Sequence, residues 1–315
     1  MARTTILSFV LTLLVSAPAF GQVDFSGNWA PLYHEDSPER LPGPELGDYT
    51  ELPINDAARL RADSWEADRI SVIQEYQCRP HGADYALRGL GNLRVSQEID
   101  TSTQRLISIR MHFLAWDSDR TVYMDDRPGP SVLEPHTWQG FSIGKWEGNM
   151  LTITTTHLKA NYIRRNGVPR SEKARLTEHW TRHGDYLTVT TVIEDPVFLT
   201  EPLVRSDNWS IDPGMRIGVF GCEYATEIPM PEGTVPHWLP GTNAYLDEFA
   251  NWYGLPFEAT RGGAETLYPE YRAKIQGYKA PAMCTRYCGC IQLTGAGCNV
   301  APPTPPPATP GQPAR

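Results

Sequence analysis

Between residues 92 and 195, apolar and polar residues alternate in short runs separated by Gly, Asn, Asp or Pro. A period of two is the signature of a strand with one buried face. It predicts strands over 92–99, 104–116, 121–125, 138–146, 150–158, 174–181 and 186–195, with an earlier one opening near Trp29. One phrase occurs twice: residues 146–158 read WEGNMLTITTTHL and residues 182–194 read RHGDYLTVTTVIE. In each, a Gly-Asn or Gly-Asp pair supplies the positive φ of a tight turn, and the Thr, Val and Ile that follow fit a pleated strand. The repeat predicts an antiparallel meander, and strands at this spacing predict a sandwich or barrel.

The pattern changes at both ends. Residues 55–67 read as a helix, and from Pro229 onward the composition shifts, with helical patterning over 241–253 and less clearly over 268–278. Four units follow: residues 1–21, a β domain over 22–228, a cysteine-containing appendage over 229–300, and a Pro-rich tail over 301–315 reading APPTPPPATPGQPAR, which is expected to be extended and solvated. Residues 1–21 combine Arg3, an apolar run over 6–15 and a small-residue stretch before Gly21, as a secretory signal peptide does. That run is too short to span a bilayer. The expectation is a periplasmic or secreted protein beginning at Gln22.

Formal net charge is −9, which makes nucleic acid or an anionic membrane a poor partner. Oligomeric state is not legible. The six cysteines, in an exported chain, point to disulfides. Cys284, Cys288, Cys290 and Cys298 cluster with three, one and seven intervening residues, a spacing unlike the paired units of zinc sites. If those four pair locally, Cys78 and Cys222 are left for each other. The eight His are scattered, so no metal site is indicated, and no Gly-rich nucleotide loop or other cofactor motif is present. Residues 140–144 read Gly-Phe-Ser-Ile-Gly, a formal match to a hydrolase elbow, but they lie between strands and not between a strand and a helix.

Asp24-Phe25-Ser26-Gly27-Asn28-Trp29 resembles the Gly-x-Trp opening of lipocalins and other calycins, where the Trp plugs the closed end of the barrel. Further on come Arg120-x-Val122-Tyr123-x-Asp125-x-Arg127-Pro128, then Ser142-Ile143-Gly144-Lys145-Trp146-Glu147-Gly148, Thr177-Glu178-His179-Trp180 and Glu194-Asp195-Pro196. This series resembles a family of exported, largely uncharacterised bacterial proteins with the phrases SIGxWEGDTLVVDTT, TERF and DP in that order. It covers about residues 60–225, with Asn149 and Asp126 departing from the pattern. The resemblance implies a lipocalin-like β fold and carries over no catalytic residue.

Parity selects candidate chemistry. Leu151, Ile153, Thr155 and His157 share one parity; Leu176, Glu178 and Trp180 share another. In the strand over 104–116, Ile107, Ile109, Met111 and Phe113 form the apolar set, and Arg110 and His112 lie on a mixed face. His157, Glu178, His112 and Arg110 are thus candidate catalytic residues expected to approach one another inside the barrel. Either His would be the base, Glu178 its orienting group or acid, and Arg110 an oxyanion holder. The competing role for Glu178 and Arg110 is a structural brace. Trp116, Tyr123 and Trp180 are candidate ligand-binding residues. The leading function is an internal pocket for an apolar, aromatic or isoprenoid small molecule. Its alternatives are a cofactor-independent acid–base enzyme (a lyase, isomerase or hydrolase) acting on such a molecule, and a surface interaction module using the cysteine-rich end and the tail.

Overall fold

A computed structural model describes residues 23–33, 44–66, 74–89, 91–226, 229–235 and 237–275. Residues 1–21, expected to be a signal peptide, lie outside these residues, as do the four clustered cysteines and the Pro-rich tail. The chain is mainly β. Its strands are β1 (Gly27–Leu32), β2 (Leu93–Ile99), β3 (Leu106–Phe113), β4 (Ser118–Tyr123), β5 (Phe141–Glu147) and β6 (Met150–Thr156), followed by β7 (Asn161–Arg164), β8 (Val168–Arg170), β9 (Arg175–His183), β10 (Tyr186–Glu194) and β11 (Leu203–Ile211). Nine of them close a barrel in the order β1-β11-β10-β9-β6-β5-β4-β3-β2, and β7 and β8 form a separate hairpin.

The repeated phrase builds two equivalent hairpins. Glu147 pairs with Met150 and His183 with Tyr186, leaving Gly148-Asn149 and Gly184-Asp185 as two-residue loops. Gly148 and Gly184 have φ of 64° and 60°, the positive values such loops require. The expected meander is interrupted once. β4 and β5 pair in parallel, Val122 beside Ser142 and Tyr123 beside Ile143, so the barrel is mixed. A parallel neighbour cannot be reached by a tight turn. The link over 124–140 runs the length of the strand to bring the chain back.

The inward parities of all nine strands meet in one core. Trp29, Val95, Met111, Ile153, Trp180, Val189 and Trp209 are all buried in it. Trp29 is fully buried, donates its indole N–H to the Phe25 carbonyl at 2.9 Å, and lies under the Arg182 guanidinium. A second core covers one end of the barrel. It gathers Leu176 and Ile193 from the strand ends, Ile163 and Val168 from the β7–β8 hairpin, and Ala58 and Ala62 from helix α1 (Asp56–Asp63). Asn55 caps that helix, accepting from the Ala58 amide at 3.0 Å.

The residues after 237 pack on the outside of this cap. Arg261 makes a bidentate pair with Asp63 at 2.8 and 2.6 Å, Asn243 donates to the Asp63 carbonyl, and the Trp238 amide donates to the Ser64 carbonyl. A Cβ at Gly262 would lie 2.3 Å from the Tyr49 carbonyl oxygen, so this close approach needs glycine. Within 241–253 only Glu248–Tyr253 is helical, and within 268–275 only Pro269–Arg272 is. Gly254, in a left-handed conformation, ends the first of these.

Candidate functional site

Two buried ion pairs reach the barrel strands from within, Arg88 with Asp207 of β11 at 3.4 Å and Arg120 with Glu178, and the second is the better bonded. Glu178, fully buried on β9, receives two hydrogen bonds from the Arg120 Nη1 of β4, at 2.8 and 3.0 Å, and a third from the Trp180 indole at 3.0 Å. Arg120 donates its remaining edges to Ser142 of β5 and Thr155 of β6. The hydroxyls of Ser142 and Thr155 are 2.9 Å apart. Every member is buried and partnered, which is how a protein offsets the several kcal/mol lost per ion on leaving water. The network ties four strands of the barrel and leaves neither carboxylate oxygen of Glu178 without a donor.

The other expected site residues do not join it. Arg110 and His112 lie on the outer face of β3, because Ile109, Met111 and Phe113 take the inward parity. Arg110 pairs with Glu98 at 2.8 Å, and His112 Nδ1 with Asp119 at 2.8 Å. His157 follows the last residue of β6 with φ of 57°, and this left-handed step ends the alternation that would have turned it inward. Its ring nitrogens instead meet the Thr156 hydroxyl at 3.0 Å and the Ser131 carbonyl at 2.9 Å.

The three expected ligand-binding aromatics are equally dispersed. Trp180 is in the barrel core with its edge against Phe25. Tyr123 is on the outside, stacked on Phe141 with the Arg127 guanidinium 3.8 Å above its ring. Trp116 sits in the turn after β3 with φ of 55°, against His81 on one side and Phe220 on the other.

A different constellation lies beside the barrel. Glu75 opens toward two groups at once: its Oε1 accepts from His81 Nε2 at 3.0 Å and from the Tyr162 hydroxyl. Arg165 stands 3.5 Å away. All three of Glu75, His81 and Tyr162 are buried, and Tyr85 packs edge-on against both rings. Burial pushes the Glu75 carboxyl up; the hydrogen bond and charge of His81, then Tyr162 and Arg165, outweigh it, and the carboxyl sits below its usual range. Burial, reinforced by the Glu75 charge, holds both Tyr85 and Tyr162 well above the ordinary phenol range. The segment carrying Glu75 and His81 is pinned by the Cys78–Cys222 disulfide, the pairing expected by elimination. The Ala225 amide adds a hydrogen bond to the Tyr76 carbonyl.

Tyr162 also faces a cleft of about 470 Å³ between the end of α1, the segment after Gln74 and the β7–β8 hairpin. Trp65 and Trp138 supply its aromatic walls, and Arg61, Arg79 and Asn161 its polar groups. Gly167, with φ of 93°, sets the fit of one wall: a Cβ there would lie 2.5 Å from that of Trp65. A second cavity of about 320 Å³ continues past Arg61 and Asn161 toward Ser171 and Phe198. Sequence parity passed over these residues because they lie on a helix end, a loop and a short hairpin outside the alternating strands.

No protein-family model matches the chain, and no curated protein or solved structure matches it either. Among the described residues, no helix is long and apolar enough to cross a membrane.

Proposed function

We propose that this is an exported β-barrel protein that binds an apolar, aromatic or isoprenoid small molecule, and that the molecule sits in the cleft beside the barrel and not in its interior. The observation that carries this reading is the cleft itself, with Trp65, Trp138 and Tyr162 turned to a cavity of about 470 Å³, a size that suits a small organic ligand. The barrel interior supports the same relocation, because its inward side chains pack against one another around the Arg120–Glu178 pair. The disulfide and the leader-like first 21 residues support export, as does the resemblance to exported bacterial proteins. The test is titration of the full-length protein with a neutral bicyclic aromatic, naphthamide, followed by tryptophan fluorescence. Trp138→Ala is expected to weaken binding by about tenfold, the scale of one aromatic contact. Absence of any binding by the parent protein would remove this reading.

A second reading, an acid–base enzyme acting on the same molecule, is favoured by one contact. The Tyr162 hydroxyl, at the cleft, is hydrogen-bonded to Glu75, and Glu75 to His81. With a ligand recovered from the native protein in hand, Tyr162→Phe would preserve binding and lower turnover by about a hundredfold or more. Unchanged ligand after prolonged incubation with the parent protein would leave the binding role alone.

A further inference from the structure

Resting on the reading that the cleft binds a small aromatic molecule, we infer that this molecule carries an anionic group, a carboxylate or phosphate, held by Arg61 and Arg79. The protein as a whole is acidic, with a formal charge of −9. The cleft has the opposite character: among the described residues its lining includes both arginines and His237, and neither Asp nor Glu. Among the described residues, neither Arg61 nor Arg79 has a side-chain hydrogen bond or ion pair. A third cation stands close by, with the Lys159 ammonium 5.1 Å over the ring of Trp138.

Two further groups have the same polarity. The indole N–H of Trp65 and the amide Nδ2 of Asn161 are buried atoms without a hydrogen-bond partner among the described residues, and both side chains line the cleft. Both are donors, so the polar groups that border the cleft add to its preference for an acceptor and offer nothing to a second donor. An anionic oxygen is the acceptor that also meets the guanidinium forks. Guanidinium geometry matches carboxylate and phosphate oxygens equally, which sets the class of ligand without choosing between the two. The aromatic walls define the rest of the molecule as flat and apolar, because only such a body fills the space between Trp65, Trp138 and Tyr162 without further polar partners.

The test uses three probes of one size on the full-length protein: naphthoate, naphthyl phosphate and neutral naphthamide. At least one of the two anions is expected to bind about tenfold or more tightly than the amide, the scale of a charge-assisted hydrogen bond. Their ranking separates a carboxylate site from a phosphate site. Arg61→Gln combined with Arg79→Gln is expected to abolish that advantage, so that the anions bind no more tightly than naphthamide does to the same variant, and raised salt is expected to weaken the anions alone. Both arginines are exposed, so the double variant is expected to keep the parent circular dichroism spectrum. Equal affinity for all three probes, or an anion preference that survives the double variant, would overturn the inference while the binding reading stands. Failure of every probe to bind would remove both.

Discussion

Arg120 and Glu178 face each other across the inside of the barrel, from strands that are not neighbours, with one guanidinium nitrogen 2.8 and 3.0 Å from the two carboxylate oxygens. Each side chain lies in the middle of its strand, and Val122, Met111, Leu176 and Ile153 pack in the surrounding apolar cores. The pair therefore forms a strut inside the barrel that links β4 to β9 across the two strands between them, β5 and β6.

Removing one end of that strut leaves an uncompensated buried charge. Glu178→Gln and Arg120→Met are each expected to lower unfolding free energy by about 3–5 kcal/mol. Replacing both, Arg120→Met with Glu178→Leu, is expected to recover much of the loss. Chemical denaturation of the two single variants and the double variant checks this, and a double variant as unstable as the sum of the singles would refute the coupling.

Acid and alkali should both weaken the fold, acid through Glu75 and alkali through the buried tyrosines. The folded carboxyl titrates below its ordinary value of 4.5, so its contribution is complete above that pH and fades as pH falls through the lowered value. Glu75→Gln is expected to flatten this acid limb of the stability profile. Tyr49, Tyr85 and Tyr162 are held above their ordinary value of 10.0, first by burial, so their contribution is complete below pH 10.0 and is lost as pH rises beyond it. Phenolate absorbance of these three is expected to appear together with unfolding. A smooth titration in the native state would contradict it.

The Cys78–Cys222 disulfide closes a loop with a sequence separation of 144 residues. Cys78→Ser with Cys222→Ser is expected to cost about 2–5 kcal/mol, mostly through a freer unfolded chain. Gln77 and Arg79, which flank Cys78, line the cleft, so the same variant is expected to weaken probe binding under conditions where it stays folded. Parallel denaturation and fluorescence titrations separate the two effects.

Gly167→Ala tests the cleft wall from the backbone side. The substitution meets both a φ of 93° and a Trp65 Cβ 2.5 Å away, so Trp65 must move. A stability loss of about 1–3 kcal/mol is expected, accompanied by altered fluorescence of the aromatic probe in the cleft.

The strands were legible because their inward residues obey a strict period: Leu151, Ile153 and Thr155 are buried as the alternation requires, and so are Leu176, Glu178 and Trp180. Legibility failed wherever the period broke. His157 left its parity through a single left-handed residue, and Trp116 through another. Glu178 was placed on the correct face, but its partner is Arg120 and not Arg110, since pairing across a barrel depends on strand order, which periodicity does not contain. The parallel β4–β5 pair was invisible for the same reason. Glu75, His81 and Tyr162 come together from segments up to 87 residues apart, and none lies on a patterned face.

The first strand has a consequence for how the chain must be made. β1 pairs with β2 on one side and with β11 on the other, so the ring cannot shut until residues 203–211 are available to it. Any chain ended before that point leaves the free edges of β1 and β10 open, and open edges recruit other strands. Synthesis in N-to-C order therefore holds the protein in an unclosed, association-prone form until almost all of the β domain has emerged. Fragments that stop at β10 belong in inclusion bodies, and a circular permutant whose new ends fall in the 124–140 link would hide that edge earlier.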